Sequence, residues 1–335
     1  MSAPTPACPR IAVAGCGYWG RNLVRNFHAL GALAAVADPA PAGRALAAEL
    51  APGCAILDDI TALFARPDLD GVVLATPAVT HAPLGLAALA AGKHVFLEKP
   101  MALSLAEGRT LAAAAAKAQR VLMVGHLLEY HPAFLALRAG AGNRLGRLTR
   151  LQSHRTNFGK VRTEEDALWS LAPHDVAMIL RLAGRLPTRV SCTGTFALGT
   201  PRADTAIAVL RFPDGLDAHL LSSWIHPFKE QRLVAIGEKG AAVFDDTLRE
   251  NKLLWHDQHV AWHAGQPRLV RAEPVAAAYP ADEPLRCECQ AFLDAIALGQ
   301  PPVTDAASSL RVMAVLEACS RSMAAAGDWQ TVEAP

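Results

Sequence analysis

An excess of charge of either sign is missing from this sequence of 335 residues. Its 32 lysines and arginines are balanced by 31 aspartates and glutamates, which leaves a formal charge of +1. Without a basic excess, there is no electrostatic case for binding nucleic acid or an anionic membrane surface. No apolar run is long enough to span a membrane, and residues 1–9 lack the basic and apolar regions of a signal peptide. These absences predict a cytoplasmic protein with no nucleic-acid and no membrane partner.

Paired cysteines are missing as well, since the seven cysteines are odd in number and scattered along the chain. Cys287 and Cys289 are closer together than the usual zinc pair, and no second pair accompanies them. We therefore expect reduced thiols and no metal site. A chain of this length can bury the cores of two domains without crosslinks, and it shows no internal repeat.

A glycine-rich turn is the clearest feature that the sequence does have. The apolar run Ile11 to Ala14 leads into Gly15-x-Gly17-x-x-Gly20, and helical periodicity follows from Arg21 to Leu30. In a dinucleotide site, the first glycine allows the tight turn, the second lets the backbone approach the pyrophosphate, and the third lets the helix lie close to the strand. The free N–H groups at the helix start then face the anion.

A carboxylate stands where this fingerprint places the ribose-binding acid. A second apolar run, Leu33 to Ala37, ends in Asp38, eighteen residues beyond Gly20. A carboxylate there accepts hydrogen bonds from two ribose hydroxyls, but it repels a 2′-phosphate by several kcal/mol at an effective dielectric of about 20. The sequence therefore predicts NAD rather than NADP as the cofactor. Arg44 is the opposing feature, because its guanidinium is long enough to turn toward a phosphate.

Strands and helices alternate over the first third of the chain. The predicted strands after the first two are 54–57, 71–75, 94–97 and 121–124, and the predicted helices after the first are 41–51, 59–64, 82–91 and 104–118. Such alternation is typical of a doubly wound parallel sheet, which binds its ligand at the carboxyl ends of the strands. Thr76-Pro77 and Glu98-Lys99-Pro100 fall at such ends. We predict an α/β fold in which residues 1–125 form a dinucleotide-binding Rossmann domain.

The pattern changes in the second half, where period-two alternation predicts strands between about 145 and 258. The candidates are 148–156, 188–196, 205–212, 216–224, 232–236 and 241–245, with Pro213-Asp214-Gly215 as a hairpin turn. Predicted helices lie at about 172–184, at 285–298 and at 306–325, and the last is long enough to pack back on the first domain. Residues 126–335 are thus predicted to form an α+β domain with a mostly antiparallel open sheet. Its uncovered face predicts a homodimer or homotetramer.

With these features in this order, the chain resembles the Gfo/Idh/MocA family of oxidoreductases over essentially its whole length. The most specific segment is Leu97-Glu98-Lys99-Pro100, which follows Ala91-Gly92-Lys93-His94-Val95. The resemblance implies that Lys99 lies beside the nicotinamide and the reacting hydroxyl, that Glu98 helps to hold the cofactor ribose, and that the bond before Pro100 is often cis. The residues expected at the cofactor are Gly15, Gly17, Tyr18, Trp19, Gly20, Asp38, Thr76, Pro77, His81, Glu98 and Lys99.

Lys99 is also the expected catalytic group on chemical grounds. Oxidation of a secondary alcohol releases a proton while hydride passes to nicotinamide, and the cofactor supplies only the hydride acceptor. Burial near the ring lowers the pKa of a lysine, so that it can act as a general base or donate a hydrogen bond to the carbonyl. The alternative is a surface lysine at a strand end.

His174 is the second expected catalytic residue, in Leu168-Trp169-Ser170-Leu171-Ala172-Pro173-His174-Asp175. The family usually presents Asp-x-x-x-His here, two groups one helical turn apart that reach the same hydroxyl. This chain keeps the histidine, but Ser170 stands at the aspartate position and cannot orient or charge-stabilise an imidazole as a carboxylate does. Asp175 is a partial substitute, although consecutive helical residues point about 100° apart. The alternatives are a neutral core histidine at 174 and an ordinary helix-start acid at 175.

Groups that bind polyols and phosphates are dense from His154 to Trp169. Arginine and lysine side chains suit a diphosphate, and asparagine suits sugar hydroxyls or an amide. The alternative is a solvated loop balanced by Glu164 and Glu165. The residues expected at the substrate are Lys99, Tyr130, Arg155, Asn157, Lys160, Arg162, Trp169, His174 and Asp175.

This segment, with Val124-Gly125-His126 and Tyr130-His131-Pro132, resembles the nucleotide-sugar 3-dehydrogenase branch of the family. The resemblance implies NAD-dependent oxidation of a secondary hydroxyl, C3, of a UDP-linked N-acetyl sugar such as UDP-N-acetylglucosamine. The open alternatives are a dehydrogenase of UDP-N-acetylglucosaminuronate, a reductase of a TDP-keto sugar and an inositol dehydrogenase. Ser170 also leaves open a function of another class, that of an NAD-binding protein that has lost catalysis. The spacing of the motifs alone predicts only an NAD-dependent polyol or sugar dehydrogenase.

Overall fold

The computed structural model describes residues 8–335, which form two compact units. Unit 1 contains the chain up to Tyr130 together with Asp282–Leu310, and unit 2 contains His131–Ala281 and Arg311–Ala334. The signal-peptide prediction concerns residues 1–9, of which 1–7 lie outside the described residues. Within residues 8–335, no helix combines the length and the apolar character needed to cross a membrane.

Helices and strands alternate through unit 1, and strands dominate unit 2. The helices are α1 (Gly20–Ala29), α2 (Pro41–Leu50), α3 (Thr61–Phe64), α4 (His81–Ala90), α5 (Leu105–Ala118), α6 (Pro132–Leu145), α7 (Ala167–Ala183), α8 (Pro284–Leu298) and α9 (Ala306–Ala324). The strands are β1 (Ile11–Ala14), β2 (Leu33–Ala37), β3 (Ala55–Leu57), β4 (Gly71–Leu74), β5 (His94–Leu97), β6 (Leu122–Val124), β7 (Leu148–Phe158), β8 (Arg189–Thr195), β9 (Thr205–Arg211), β10 (Asp217–Ser223), β11 (Ile225–Gly237), β12 (Ala241–Asp245), β13 (Leu253–His256), β14 (His259–His263), β15 (Gln266–Val270), β16 (Val275–Ala276) and β17 (Gln330–Thr331).

Unit 1 is built on a six-stranded sheet in the order β3-β2-β1-β4-β5-β6, and all neighbours are parallel. Every residue of β1 and β4 is buried, as expected for strands covered by helices on both faces. The strand order reverses between β1 and β4, so the carboxyl ends of these strands flank the crevice where such sheets bind ligands. The doubly wound Rossmann prediction is confirmed.

Helix α8 belongs to unit 1, although it is far away in the sequence. Phe292 of this helix is fully buried, and its ring packs edge-on against Phe96 and Phe27 with centroids 5.6 and 6.5 Å apart. Leu285 and Cys289 are buried on the same helix face. The units therefore differ from the predicted division at residue 125, because residues 126–130 and 282–310 pack with the first sheet.

Unit 2 contains a nine-stranded sheet in the order β16-β13-β12-β11-β7-β10-β9-β8-β17. Its pairs are antiparallel except for β7 and β10, which run parallel. Helix α7 packs on β7, β9 and β10, and α6 packs on β11, β12 and β13. The predicted open, mostly antiparallel sheet is confirmed, as is the hairpin turn, where Gly215 adopts a φ of +83° between β9 and β10.

Helix α7 begins at Ala167, about five residues before the predicted start. Asp166 caps it by accepting a hydrogen bond from the Trp169 N–H at 2.9 Å. Pro173 lies inside the helix rather than in its first turn, where proline is best tolerated. The early start places Ser170 and His174 within one helix, one turn apart.

Candidate active site

The glycine turn has the shape that a bound pyrophosphate requires. Gly15 adopts a φ of +92°, and a Cβ added there would lie 2.7 Å from the carbonyl oxygen of Ala75. A Cβ at Gly20 would overlap the carbonyl of Gly15, whereas one at Gly17 would meet nothing within 4 Å. Two glycines therefore allow strand, turn and helix to pack, and Gly17 leaves open space above the turn. The residues fit the dinucleotide that the sequence predicts.

The two aromatic residues of the turn lie in different surroundings. Tyr18 is 84% exposed, and the guanidinium of Arg21 lies 5.3 Å from its ring centroid. Trp19 is 37% exposed, and its indole Nε1 donates a hydrogen bond to Oε1 of Glu98. The sequence singled out Trp19 and Glu98 separately but did not predict their contact, which ties the glycine turn to the end of β5.

Asp38 lies at the end of β2 with its carboxylate turned toward the glycine turn. One oxygen accepts a hydrogen bond from the Cys16 N–H at 2.7 Å, and the other accepts one from the Ala40 N–H at 2.8 Å. Each carboxylate oxygen keeps a further lone pair for a ribose hydroxyl. The position agrees with the role that the fingerprint assigns to this residue.

The loop after β4 is held by a buried histidine. The ring nitrogens of His81 lie 2.8 Å from the Pro100 carbonyl oxygen and 2.9 Å from that of Thr76. Because His81 is only 1% exposed, it holds this loop from within the core, which is not the exposed position expected of a residue at the cofactor. The Thr76 and Thr80 hydroxyls are 2.7 Å apart, Thr76 is partly exposed, and Pro77 is exposed.

Glu98 ends β5 in a half-buried position beside Lys99. Burial raises the pKa of its carboxyl to about 7, although Trp19 and Lys99 both favour the ionised form. A Cβ at Gly125 would lie 3.0 Å from Oε2 of Glu98, so the glycine gives this carboxylate the room it needs. The peptide bond between Lys99 and Pro100 is cis, as the resemblance implies. A titration close to neutral pH is typical of groups at functional sites.

Two further buried carboxyls in unit 1 were missed by the sequence reading. Glu129 is 3% exposed, and Glu288 is fully buried with neither of its oxygens hydrogen-bonded. Burial raises the pKa of Glu288 well above its ordinary value, and the charges of Glu98 and Glu129 raise it further. The available signal was helical spacing, because Glu288 falls on the apolar face of α8 between Leu285 and Phe292.

Tyr130 does not have the substrate-binding position expected for it. It is 7% exposed, and its hydroxyl lies 3.0 Å from that of Thr304. The same oxygen accepts a hydrogen bond from the Thr304 N–H at 3.3 Å. Burial raises the pKa of the phenol above its ordinary value. Tyr130 is therefore part of the core of unit 1.

Arg155 and Asp175 form a buried ion pair in unit 2. Asp175 accepts hydrogen bonds from Nε of Arg155 at 2.7 Å, from its Nη2 at 3.2 Å and from the Ser153 hydroxyl at 2.6 Å. The two side chains are 8% and 2% exposed. This corrects two expectations, because the alternation of β7 turns Arg155 toward α7, where Asp175 neutralises it. Both side chains are buried against each other, so neither is exposed to a substrate.

The remaining candidates of unit 2 are more accessible. His174 is half-buried on α7, one turn after the buried Ser170. Trp169 is partly exposed, and its indole N–H donates to the Ser320 hydroxyl at 2.8 Å. Asn157 lies on β7, which extends to Phe158. Lys160 and Arg162 are exposed in the following loop, and Arg162 pairs with Glu165 at 3.2 Å.

Metal binding and disulfide formation both depend on how side chains are arranged within residues 8–335. In that part of the chain, no group of three or more histidine, cysteine, aspartate or glutamate side chains is arranged to hold a metal ion. The seven cysteines all lie within it as free thiols.

Two family models match consecutive parts of the chain. Residues 9–126 match the oxidoreductase family with an NAD-binding Rossmann fold, GFO_IDH_MocA. Residues 137–243 match the GFO/IDH/MocA C-terminal domain.

Three relatives align over nearly the whole chain. UDP-N-acetylglucosamine 3-dehydrogenase of Acidithiobacillus ferrooxidans is 28% identical over 320 residues, covering 91% of this chain and 94% of the relative. A solved structure of that enzyme superposes with a TM-score of 0.83, 29% identity and coverage of 95% and 98%. Inositol 2-dehydrogenase 2 of Paenarthrobacter aurescens is 29% identical over 334 residues, covering 94% and 96%. The structure of an oxidoreductase from Magnetospirillum magnetotacticum MS-1 superposes with a TM-score of 0.80, 31% identity and coverage of 93% and 100%.

Proposed function

The chain belongs to the Gfo/Idh/MocA family of NAD-binding oxidoreductases, and from that premise we propose that it oxidises the C3 hydroxyl of a nucleotide-linked N-acetyl sugar. UDP-N-acetylglucosamine is the proposed substrate and its 3-keto form the product. NAD supplies the hydride acceptor when it is bound.

The observation that carries the proposal is the group formed by Trp19, Glu98 and Lys99 at the carboxyl ends of the parallel strands. Glu98 is half-buried and has a pKa near neutrality. Its burial lowers the stability of the folded protein, and packing alone does not require a carboxyl at this position. Its neighbour Lys99 is likewise only partly exposed. We assign to Lys99 the transfer of the substrate hydroxyl proton, with Glu98 as the carboxylate that holds the cofactor ribose.

The substrate assignment rests on unit 2 and on similarity over the full length to UDP-N-acetylglucosamine 3-dehydrogenase. His174 is proposed as the second polar group for the reacting hydroxyl, and Asn157 as a partner of the N-acetyl or sugar hydroxyl groups. Lys160 and Arg162 are proposed to attract the diphosphate, because both are exposed cations in one loop. The buried Arg155, Asp175 and Tyr130 are left out of this set.

Inositol dehydrogenase is the second candidate, and one observation favours it. Two of the three lysine and arginine side chains at positions 155–162 are paired with carboxylates, Arg155 with Asp175 and Arg162 with Glu165. The positive charge that this segment can offer to a diphosphate is therefore smaller than the sequence suggests. A relative of almost the same length and identity is an inositol 2-dehydrogenase.

The test is to incubate the pure protein with NAD and, separately, UDP-N-acetylglucosamine, UDP-N-acetylglucosaminuronate and myo-inositol, and to record NADH absorbance. An added aminotransferase that consumes 3-keto sugars removes product if the equilibrium favours the alcohol. Reduction of NAD with UDP-N-acetylglucosamine supports the proposal, whereas turnover of inositol alone replaces it with the second candidate. NAD binding without turnover of any substrate favours a protein that has lost catalysis.

We also propose that unit 2 self-associates through one face of its nine-stranded sheet. This is the face opposite the one whose side chains are buried. The side chains of Leu254, Val243, Val234, Gln152, His219 and Val209 are paired across five consecutive strand contacts, and all are half-buried. A half-apolar row of this kind is typical of a surface that a second copy covers. Light scattering of the wild type and of Val243→Glu tests this, with a monomeric variant as the expected result and an unchanged mass as the contrary one.

A further inference from the structure

The segment that follows β2 holds the Asp38 carboxylate in one place. Asp38 is 8% exposed, and its two oxygens accept the Cys16 and Ala40 N–H groups at 2.7 and 2.8 Å. One donor belongs to the glycine turn and the other to the residue that precedes α2. A small rotation of the side chain would therefore break a hydrogen bond on at least one side.

Gly43 provides the space for this carboxylate. It lies in the first turn of α2 and is buried, and a Cβ there would overlap Cγ and Oδ2 of Asp38 and lie 2.8 Å from Oδ1. Its φ is not in the left-handed region, so the backbone conformation does not require glycine at this position. Glycine is unfavourable inside a helix. Close approach of the Asp38 side chain is the physical reason for it here.

Arg44 holds the backbone of the same segment. Its Nη1 donates hydrogen bonds to the carbonyl oxygens of Asp38 and Pro39, at 3.0 and 2.7 Å. The guanidinium that the sequence left open as a phosphate ligand is thus engaged with the chain beneath Asp38. In this arrangement Arg44 holds the backbone of Asp38 in place, and with it the carboxylate.

We propose that Gly43 and Arg44 are positioning residues for dinucleotide selectivity, which hold the Asp38 carboxylate where it accepts the ribose 2′-hydroxyl and repels a 2′-phosphate. The inference rests on the proposed role of Asp38 at the ribose. Gly43 acts by leaving room and Arg44 by anchoring the backbone. Both effects pass through the Asp38 side chain.

The test is a double-mutant cycle measured by calorimetric titration with NAD and NADP. Gly43→Ala in the wild-type background should weaken NAD binding about tenfold, the size expected for one lost hydrogen bond to a charged group. In the Asp38→Ala background the same change should have no further effect, because the overlapping side chain is gone. With NAD at saturation, kcat should stay within about twofold of wild type while KM for NAD rises, since the carboxylate is remote from the hydride. Arg44→Ala should follow the same pattern and keeps the test available if Gly43→Ala does not fold.

Gly142→Ala is the matched control, because this glycine also lies inside a helix, α6, and a Cβ there would meet nothing within 4 Å. It should leave both dinucleotide affinities unchanged. The inference is overturned if Gly43→Ala weakens NAD equally with and without Asp38, or leaves it unchanged or tighter. It is also overturned if Arg44→Ala weakens NADP more than NAD, which would make Arg44 a phosphate ligand. A wild type that binds neither dinucleotide contradicts the proposed function instead.

Discussion

Replacing Glu98 by glutamine should make the protein more stable at alkaline pH while impairing its reaction. The substitution keeps the size of the side chain and an oxygen that can accept the hydrogen bond of Trp19, while it removes the charge and replaces the second oxygen with an NH2 group. Burial disfavours that charge and raises the pKa of the carboxyl from 4.5 to about 7. An ionised Glu98 therefore destabilises the folded state, and a glutamine at this position does not.

The size and the sign follow from proton linkage. Between pH 4.5 and 7 the folded protein retains a proton that the unfolded chain releases, so stability is lost as the pH rises through this range. A rise in pKa of this size corresponds to about 3 kcal/mol when 1.36 kcal/mol is assigned to each pH unit. Well below pH 4.5 the carboxyl is neutral in both states, so its charge contributes no difference in stability between the two proteins there.

The assay is urea unfolding of wild type and Glu98→Gln, without dinucleotide, at several values from pH 5 to pH 8.5. Ligand must be absent because binding to the native state adds its own stabilisation. The variant should gain on the wild type by about 2–3 kcal/mol across this range. A constant difference, or a variant that is less stable at pH 8, would show that Glu98 is ionised without cost and would refute the reasoning.

Four further outcomes are expected. Lys99→Ala should lower turnover by roughly 10²–10⁴ if it transfers the proton, with the exposed helical Lys117→Ala as the control; a loss below tenfold removes Lys99 from that role. Glu288→Gln should raise the melting temperature at pH 8 and have little effect at pH 5, because the buried carboxyl keeps its proton in the folded protein as the pH rises. Phe292→Ala should cost about 3–5 kcal/mol in urea unfolding, since its ring joins α8 to the core of unit 1. Arg155→Ala should cost about 3–5 kcal/mol, because it leaves the buried charge of Asp175 without its opposing cation, and Arg155→Met with Asp175→Leu should recover most of that loss.

The alternating part of the fold could be predicted from the sequence because its signals are local. Buried runs such as Gly71–Leu74 and the glycine turn identify the parallel sheet without knowledge of distant residues. Helix α6 was not predicted, since glycines at 140 and 142 weaken its helical pattern and its stability comes from packing on β12 and β13. The place of α8 in unit 1 depends on Phe292 meeting Phe96, a contact across almost two hundred residues that periodicity does not encode.

The buried charged residues of the candidate site fall into two groups, which differ in whether partner groups compensate the charge. Asp175 has Arg155 and Ser153 as partners at hydrogen-bond distance, so its burial is accounted for by structure alone. Sequence reasoning assigned both members of this pair to the substrate because residue type and spacing do not reveal which face of a strand a helix covers. Glu98 differs, since the donors around it leave its pKa near neutrality and the cost of its charge is not offset within unit 1. A charge retained at such a cost indicates a group kept for binding or chemistry, which is why the proposed function rests on Glu98 and Lys99 rather than on the arginine-rich segment that looked most suggestive in the sequence.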